Sequence, residues 1–227
     1  MHFGGNWLIF VQLPAATSVL THMNSRVLQA QTELQAENLA IAQALKRSDA
    51  GLLDELIVRY QHRLLRYLLY LTGNREMAED VFQETWMRVL TRGGQFNGRA
   101  RFETWLFTIA RNLVIDQRRK RSMLSLDEMC DVGGEDRPIE FASHESSPFE
   151  HCCSQQDREH LSSALLMLEP LYREVVVLRF QEEMSLEEIA RVTNAPLSTV
   201  KSRLYRGLAA LKPKVNSLRG EHCGEDI

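Results

Sequence analysis

No run of about 18 apolar residues occurs in this 227-residue chain, so no segment has the length of a membrane-crossing helix. The best candidate, "WLIFVQLPAA" near the N-terminus, is too short. It also lacks the positive lead of a secretory signal, since only His2 precedes it. The expected location is therefore cytoplasmic. Cysteine is scarce: Cys130, Cys152, Cys153 and Cys223 all fall outside the periodic segments, which excludes the disulfide framework of a compact secreted domain. "HCC" at His151–Cys153, with His144, His160 and Cys130 nearby, matches no closed zinc spacing, so no metal and no cofactor is expected. Strand patterns are missing, and so are a nucleophile motif, a phosphate-binding glycine loop and a metal triad. These absences exclude the common enzyme classes and leave an all-α protein.

What the chain does have is segregated charge. The net charge of -3 hides two basic segments and an acidic one. Arg99–Arg121 holds seven basic residues against Glu103 and Asp116. Ser198–Lys214 holds Lys201, Arg203, Arg206, Lys212 and Lys214 with no acid. Between them, Met123–Glu159 carries ten acids against Arg137 and Arg158. Two basic segments on either side of an acidic tether suit a polyanionic partner. Pro138, Pro148 and Gly133–Gly134 mark the acidic stretch as a linker, because its composition buries too little apolar surface to order itself.

Helical patterns run from Asn38 to about Arg121, broken at "SD" (48–49), "TGN" (72–74) and "RGGQFNG" (92–98), and return from Leu161 to Val215. Residues 1–36 show no strong periodicity. In "MSLEEIARVTNAPLSTVKSRLYRGLAAL", Ser185 and Glu188 form a capping box. Asn194 suits a left-handed helix end, Pro196 blocks continuation, and Ser198 is placed to cap the next helix. That order is a helix-turn-helix. On its second helix Val200, Leu204, Leu208 and Leu211 form the expected core stripe, with Thr199, Ser202 and Arg206 opposite, Arg203 at the edge and Lys201 flanking. Hydroxyls and arginines near a helix N-terminus suit the major groove.

In "RFETWLFTIARNLVIDQRRKR", Phe102, Trp105, Leu106, Ile109, Ala110, Leu113 and Val114 make a core stripe. Phe107 and Ile115 lie outside it among arginines, where they either stack single-stranded bases or pack on a neighbouring helix. One helix earlier, which Asn74 is placed to cap, Ala78, Val81, Phe82, Thr85 and Val89 share the inner face. Asp80, Gln83, Glu84 and Met87 share the outer one, and a methionine among polar groups suits a protein partner.

Together these residues resemble the ECF group of bacterial sigma factors. The resemblance rests on "AEDVFQETW", "FNGRARFETWL", "IARN" and "DQRR" in the first half. In the second it rests on "LEPLYREVVVLRFQEEMSLEEIA" and "TVKSRLYRGLAAL". It implies two small helical domains joined by a flexible linker: a region 2 domain at 38–122, the acidic linker at 123–160, a region 4 helix-turn-helix domain at 161–215 and a tail at 216–227, while residues 1–37 are extra to the family pattern and are expected to be a poorly ordered extension or a mis-assigned start. Met23 is a second candidate start. The implied function is promoter recognition and opening on behalf of core RNA polymerase, without chemistry of its own. The competing reading is a conventional helix-turn-helix regulator that acts without polymerase. Carried over by position, Asp80, Gln83, Glu84 and Met87 would meet core polymerase. Phe96, Asn97, Arg99, Arg101, Trp105, Asn112, Asp116 and Arg119 would serve the −10 element. Thr199, Lys201, Ser202, Arg203 and Arg206 would serve the −35 element, and an anti-sigma factor is an expected partner. The sequence departs from the family at Asn194, where a turn glycine is usual, and at Ser198, where glycine opens the recognition helix.

Overall fold

The computed structural model describes residues 14–127 and 155–222. Among them are eight α-helices and one 3-10 turn, and no strand. In order they are α1 (Pro14–Lys46), α2 (Ala50–Thr72), α3 (Arg75–Arg92), the turn Gly93–Gln95, α4 (Phe102–Asp127), α5 (Gln155–Leu166), α6 (Pro170–Phe180), α7 (Leu186–Thr193) and α8 (Leu197–His222). Most of the acidic stretch, including the His151–Cys153 cluster, lies outside the described residues. No helix among the described residues is long and apolar enough to cross a membrane.

Short polar signals set the helix ends. The Asp49 carboxylate accepts the N–H groups of Gly51 and Leu52 and starts α2, and Gly73 ends it at φ 67°. Asn74 then caps α3 by accepting the Met77 N–H. Ser185 and Glu188 form the complete capping box of α7, and Asn194 closes that helix at φ 47°. α8 begins at Leu197, one residue before the expected cap. The Pro196 carbonyl already accepts the Val200 N–H, so Ser198 lies inside the helix. α1 reaches back to Pro14 through residues with no strong periodicity. Residues 31–37 are exposed throughout, so no buried stripe was present to create a pattern.

The first domain packs α2, α3 and α4 around Leu64, Tyr67, Leu68, Val81, Phe102 and Leu106, all essentially without solvent contact. The second packs α5 and α6 against α8, with α7 bridging to α4. α8 crosses α6 at Gly207, where an added Cβ would lie 2.8 Å from Val176 Cγ2. This corrects the expected stripe: Gly207 is buried and Leu208 is 36 % exposed. A close helix crossing selects the smallest residue at the contact, and the next leucine turns outward.

The two domains also pack on each other, α2 on α6 and α4 on α7. Phe107 is fully buried, with its ring 4.9 Å from that of Tyr67. The packing alternative left open for Phe107 is therefore the one realised, while Ile115 stays 37 % exposed. The Tyr67 hydroxyl donates to Glu174 across the seam at 3.1 Å.

Burial pushes the Tyr60 phenol up to about 12, helped by the Glu103 carboxylate. Burial and Glu174 hold Tyr67 well above the usual value of 10. Because the folded state keeps these protons longer than the unfolded one, stability is complete below pH 10 and falls as pH rises from there toward about 12. Of five tyrosines, Tyr60 and Tyr67 should ionise only with unfolding, seen as a late step in phenolate absorbance. All five ionising together in the folded chain would contradict this burial.

Candidate nucleic-acid and partner-protein interfaces

α3 turns Ala78, Val81, Thr85 and Val89 into the core, which forces Asp80, Gln83, Glu84 and Met87 outward. Met87 is 54 % exposed, and Leu90 beside it is 53 % exposed. Leu90 was not anticipated, although its spacing from Gln83 and Met87 places it on the same face. Such a surface, apolar at one end and acidic at the other, is costly to leave in water and suits a protein partner. Asp80 and Glu84 also form one wall of an open groove of about 540 Å³. The opposite wall is Asp116, Arg119 and Lys120 of α4, so residues expected at two separate interfaces share one groove.

The expected −10 residues divide into two groups. Asn97, Arg99, Asn112, Asp116 and Arg119 are exposed on the loop before α4 and along α4 itself. Phe96 is instead 2 % exposed, with its ring 5.6 Å from Phe102 and 5.3 Å from Trp105. Trp105 is half-buried and lies 5.8 Å from Phe102. These aromatics anchor the loop by packing, Phe96 out of solvent and Trp105 with part of its surface still accessible. Arg101 is half-buried and tied to Glu103, with Glu188 of α7 at 3.7 Å.

Acids of the second domain thus engage arginines of the first. The Arg111 Nε donates to Glu174 at 2.7 Å. The Arg63 guanidinium bridges Glu182 at 2.9 Å and Glu103 at 2.8 Å. Burial raises the Glu182 carboxyl pKa, while Arg63 and Arg66 pull it back. Sequence reasoning missed this seam, because its pairs are up to 119 residues apart.

On α8 the residues expected to serve the −35 element differ in exposure. Lys201, Ser202 and Arg206 are exposed, Thr199 and Arg203 are half-buried, and Val200 is fully buried beneath them. Tyr205, the residue before Arg206, is 73 % exposed.

Residues 56–123 match the family model of Sigma-70 region 2, and residues 158–211 match that of Sigma-70 region 4. The chain is 30% identical over 176 residues to the ECF RNA polymerase sigma factor SigW of Bacillus subtilis (strain 168), covering 77% of this chain and 94% of that one. The chain belongs to the ECF sigma factors. A second relative, the ECF RNA polymerase sigma factor BldN of Streptomyces coelicolor, is 32% identical and matches over 78% of this chain and 66% of its own.

Two solved structures share the sigma-factor fold. The sigma factor RpoE in complex with the anti-sigma factor NepR from Bartonella quintana has a TM-score of 0.57 and 24% identity, over 72% of this chain and 96% of that one. CnrH in complex with the cytosolic domain of CnrY has a TM-score of 0.55 and 21% identity, over 79% and 97%. In this sigma factor the basic α4 and the loop before it fall in the region 2 match, and the helix-turn-helix of α7 and α8 in the region 4 match.

Proposed function

We propose that this sigma factor binds core RNA polymerase through the Asp80, Gln83, Glu84 and Met87 face of α3 and reads a promoter at two places. Asn97 and Arg99, with Asn112, Asp116 and Arg119 along α4, hold the displaced −10 strand. Lys201, Ser202, Arg203 and Arg206, with Thr199 at the helix start, hold the −35 duplex. Phe96 and Trp105 act from behind the loop as its aromatic floor, and Arg101 reaches DNA once it leaves Glu103 and Glu188. The division of labour is physical. Arginine and hydroxyl groups on a helix read base edges in an intact major groove, whereas an exposed loop with asparagine and arginine captures bases already unpaired. Unpairing and flipping a base costs a few kcal/mol, which capture of the single strand must offset.

The protein has no chemistry of its own in this scheme, acts in the cytoplasm and requires no cofactor. A dedicated anti-sigma factor is its proposed partner, since one solved structure of this fold is a sigma factor in complex with an anti-sigma factor and another is CnrH in complex with the cytosolic domain of CnrY. The observation that carries the reading is α8 itself. Its inner side is sealed on α6 at Gly207 while Lys201, Ser202 and Arg206 stand in solvent within the region 4 match.

Run-off transcription with purified core polymerase on genomic promoter fragments tests it, with and without the protein. Transcripts should appear only when the protein is added and should fall to background with Asp80→Ala/Gln83→Ala. A protein that binds these fragments but never programs core polymerase would instead be a free-standing regulator.

A further inference from the structure

The loop that carries Asn97 and Arg99 is held from below by a helix outside both family matches. α1 touches it at three points. Gly93 lies where an added Cβ would be 3.2 Å from Leu45 Cβ. Gly98, at φ +72°, lies where an added Cβ would be 3.0 Å from the Asn38 carbonyl oxygen and 3.0 Å from Leu39 Cδ2. The third point is Asn38 itself, 6 % exposed. Its amide nitrogen donates to the Leu34 carbonyl at 2.7 Å, which fixes the side chain against its own helix. Its Oδ1 accepts the backbone N–H of Phe102, the first residue of α4, at 2.8 Å.

A helix start normally takes its capping oxygen from the residue just before it. Here the oxygen comes from 64 residues away. Between the pinned points, Asn97 and Arg99 remain exposed, and the Asn97 Oδ1 accepts the Arg99 N–H at 3.0 Å. The loop is therefore fixed at its base and open at its tip. An offset of α4 at its first turn would carry Asn97 and Arg99 with it, and such small displacements are costly when contacts must form together.

We propose that Asn38 is a positioning residue for −10 recognition: its side chain ties the start of α4 to α1 and so aims the Asn97–Arg101 loop at the unpaired strand. The inference rests on the −10 role given to that loop above. A purely structural asparagine would stabilise the domain without favouring one function over another.

The test uses the full-length protein with core polymerase on a promoter found by run-off transcription. Permanganate reactivity of −10 thymines reads opening, and anisotropy reads core affinity and binding to the −35 duplex. Asn38→Ala should cut opening roughly tenfold, the scale of a lost N-cap, with core and −35 affinities within twofold of wild type. Asn38→Asp keeps the acceptor for Phe102 but loses the donor to Leu34, and should restore part of the opening. Gly98→Ala, approached from the loop side, should reproduce the defect if Asn38→Ala fails to fold. Wild-type opening in both alanine variants, or an equal fall in all three readouts, overturns the proposal. If wild-type holoenzyme opens no promoter at all, the −10 assignment falls as well, so the two failures are distinct.

Discussion

Arg63→Ala is expected to part the two domains and raise the radius of gyration of the free chain in small-angle X-ray scattering. Arg63 lies on α2 and holds Glu182, whose side chain has no solvent exposure, at 2.9 Å. It holds Glu103 at 2.8 Å with its other arm. Removing one partner of a buried pair costs about 3–5 kcal/mol, because the remaining charge is left without compensation. Arg66, at 3.9 Å from Glu182, makes a longer ion pair and offsets only part of that loss. Neither domain has to unfold to escape that cost, since opening the seam returns Glu182 to water. At about 1.4 kcal/mol per decade, the closed-to-open ratio should fall by roughly two to three decades. The pH dependence has a definite sign. Burial already raises the Glu182 carboxyl in the closed form, and losing Arg63 raises it further. A raised carboxyl favours the closed form below the ordinary glutamate value and ceases to do so as pH rises through the closed-state value. The variant should be compact near about pH 5 and expanded near about pH 8, with wild type compact at both. A variant as compact as wild type at the higher pH would mean that Glu182 is already solvated in solution.

That seam was the least legible part of the molecule in its sequence. Glu174 and Glu182 stand among other polar residues and carry no local signal, and Glu188 reads as one half of a capping box and nothing more. Only three-dimensional packing brings them to Arg111, Arg63 and Arg101. The helix-turn-helix was legible for the opposite reason. Its signals are local, and Ser185, Glu188 and Asn194 adopt the cap and turn that their side-chain chemistry favours. Phe107 shows where periodicity runs out. A single apolar stripe assumes one buried side, but α4 is covered by α2 and α3 within its domain and by α7 from the other. Asn38 left no signal beyond opening a helical pattern, since an oxygen that caps a helix 64 residues away leaves no spacing to read.

Arg203→Ala/Arg206→Ala is expected to weaken binding of a −35 duplex by roughly 10²–10³-fold, on the basis of about 1–3 kcal/mol for each bidentate arginine–guanine contact. The two side chains are three residues apart on one helix face, so their losses should add incompletely. The loss should not come from unfolding. Both positions lie outside the buried Val200 and Gly207 contacts, and alanine is the best helix former. Lys212→Ala provides the contrast, because Lys212 is an exposed lysine near the far end of the same basic segment, where the proposed binding mode leaves it a phosphate. It should weaken specific and random duplexes alike and lower the salt slope by about one. The deciding quantity is therefore the ratio of specific to random affinity, measured at one salt concentration. If the arginine pair changes absolute affinity but leaves that ratio intact, Arg203 and Arg206 neutralise phosphates and the bases are read elsewhere. If the ratio collapses while the lysine variant keeps it, the arginines read the −35 sequence and the lysine only strengthens the grip.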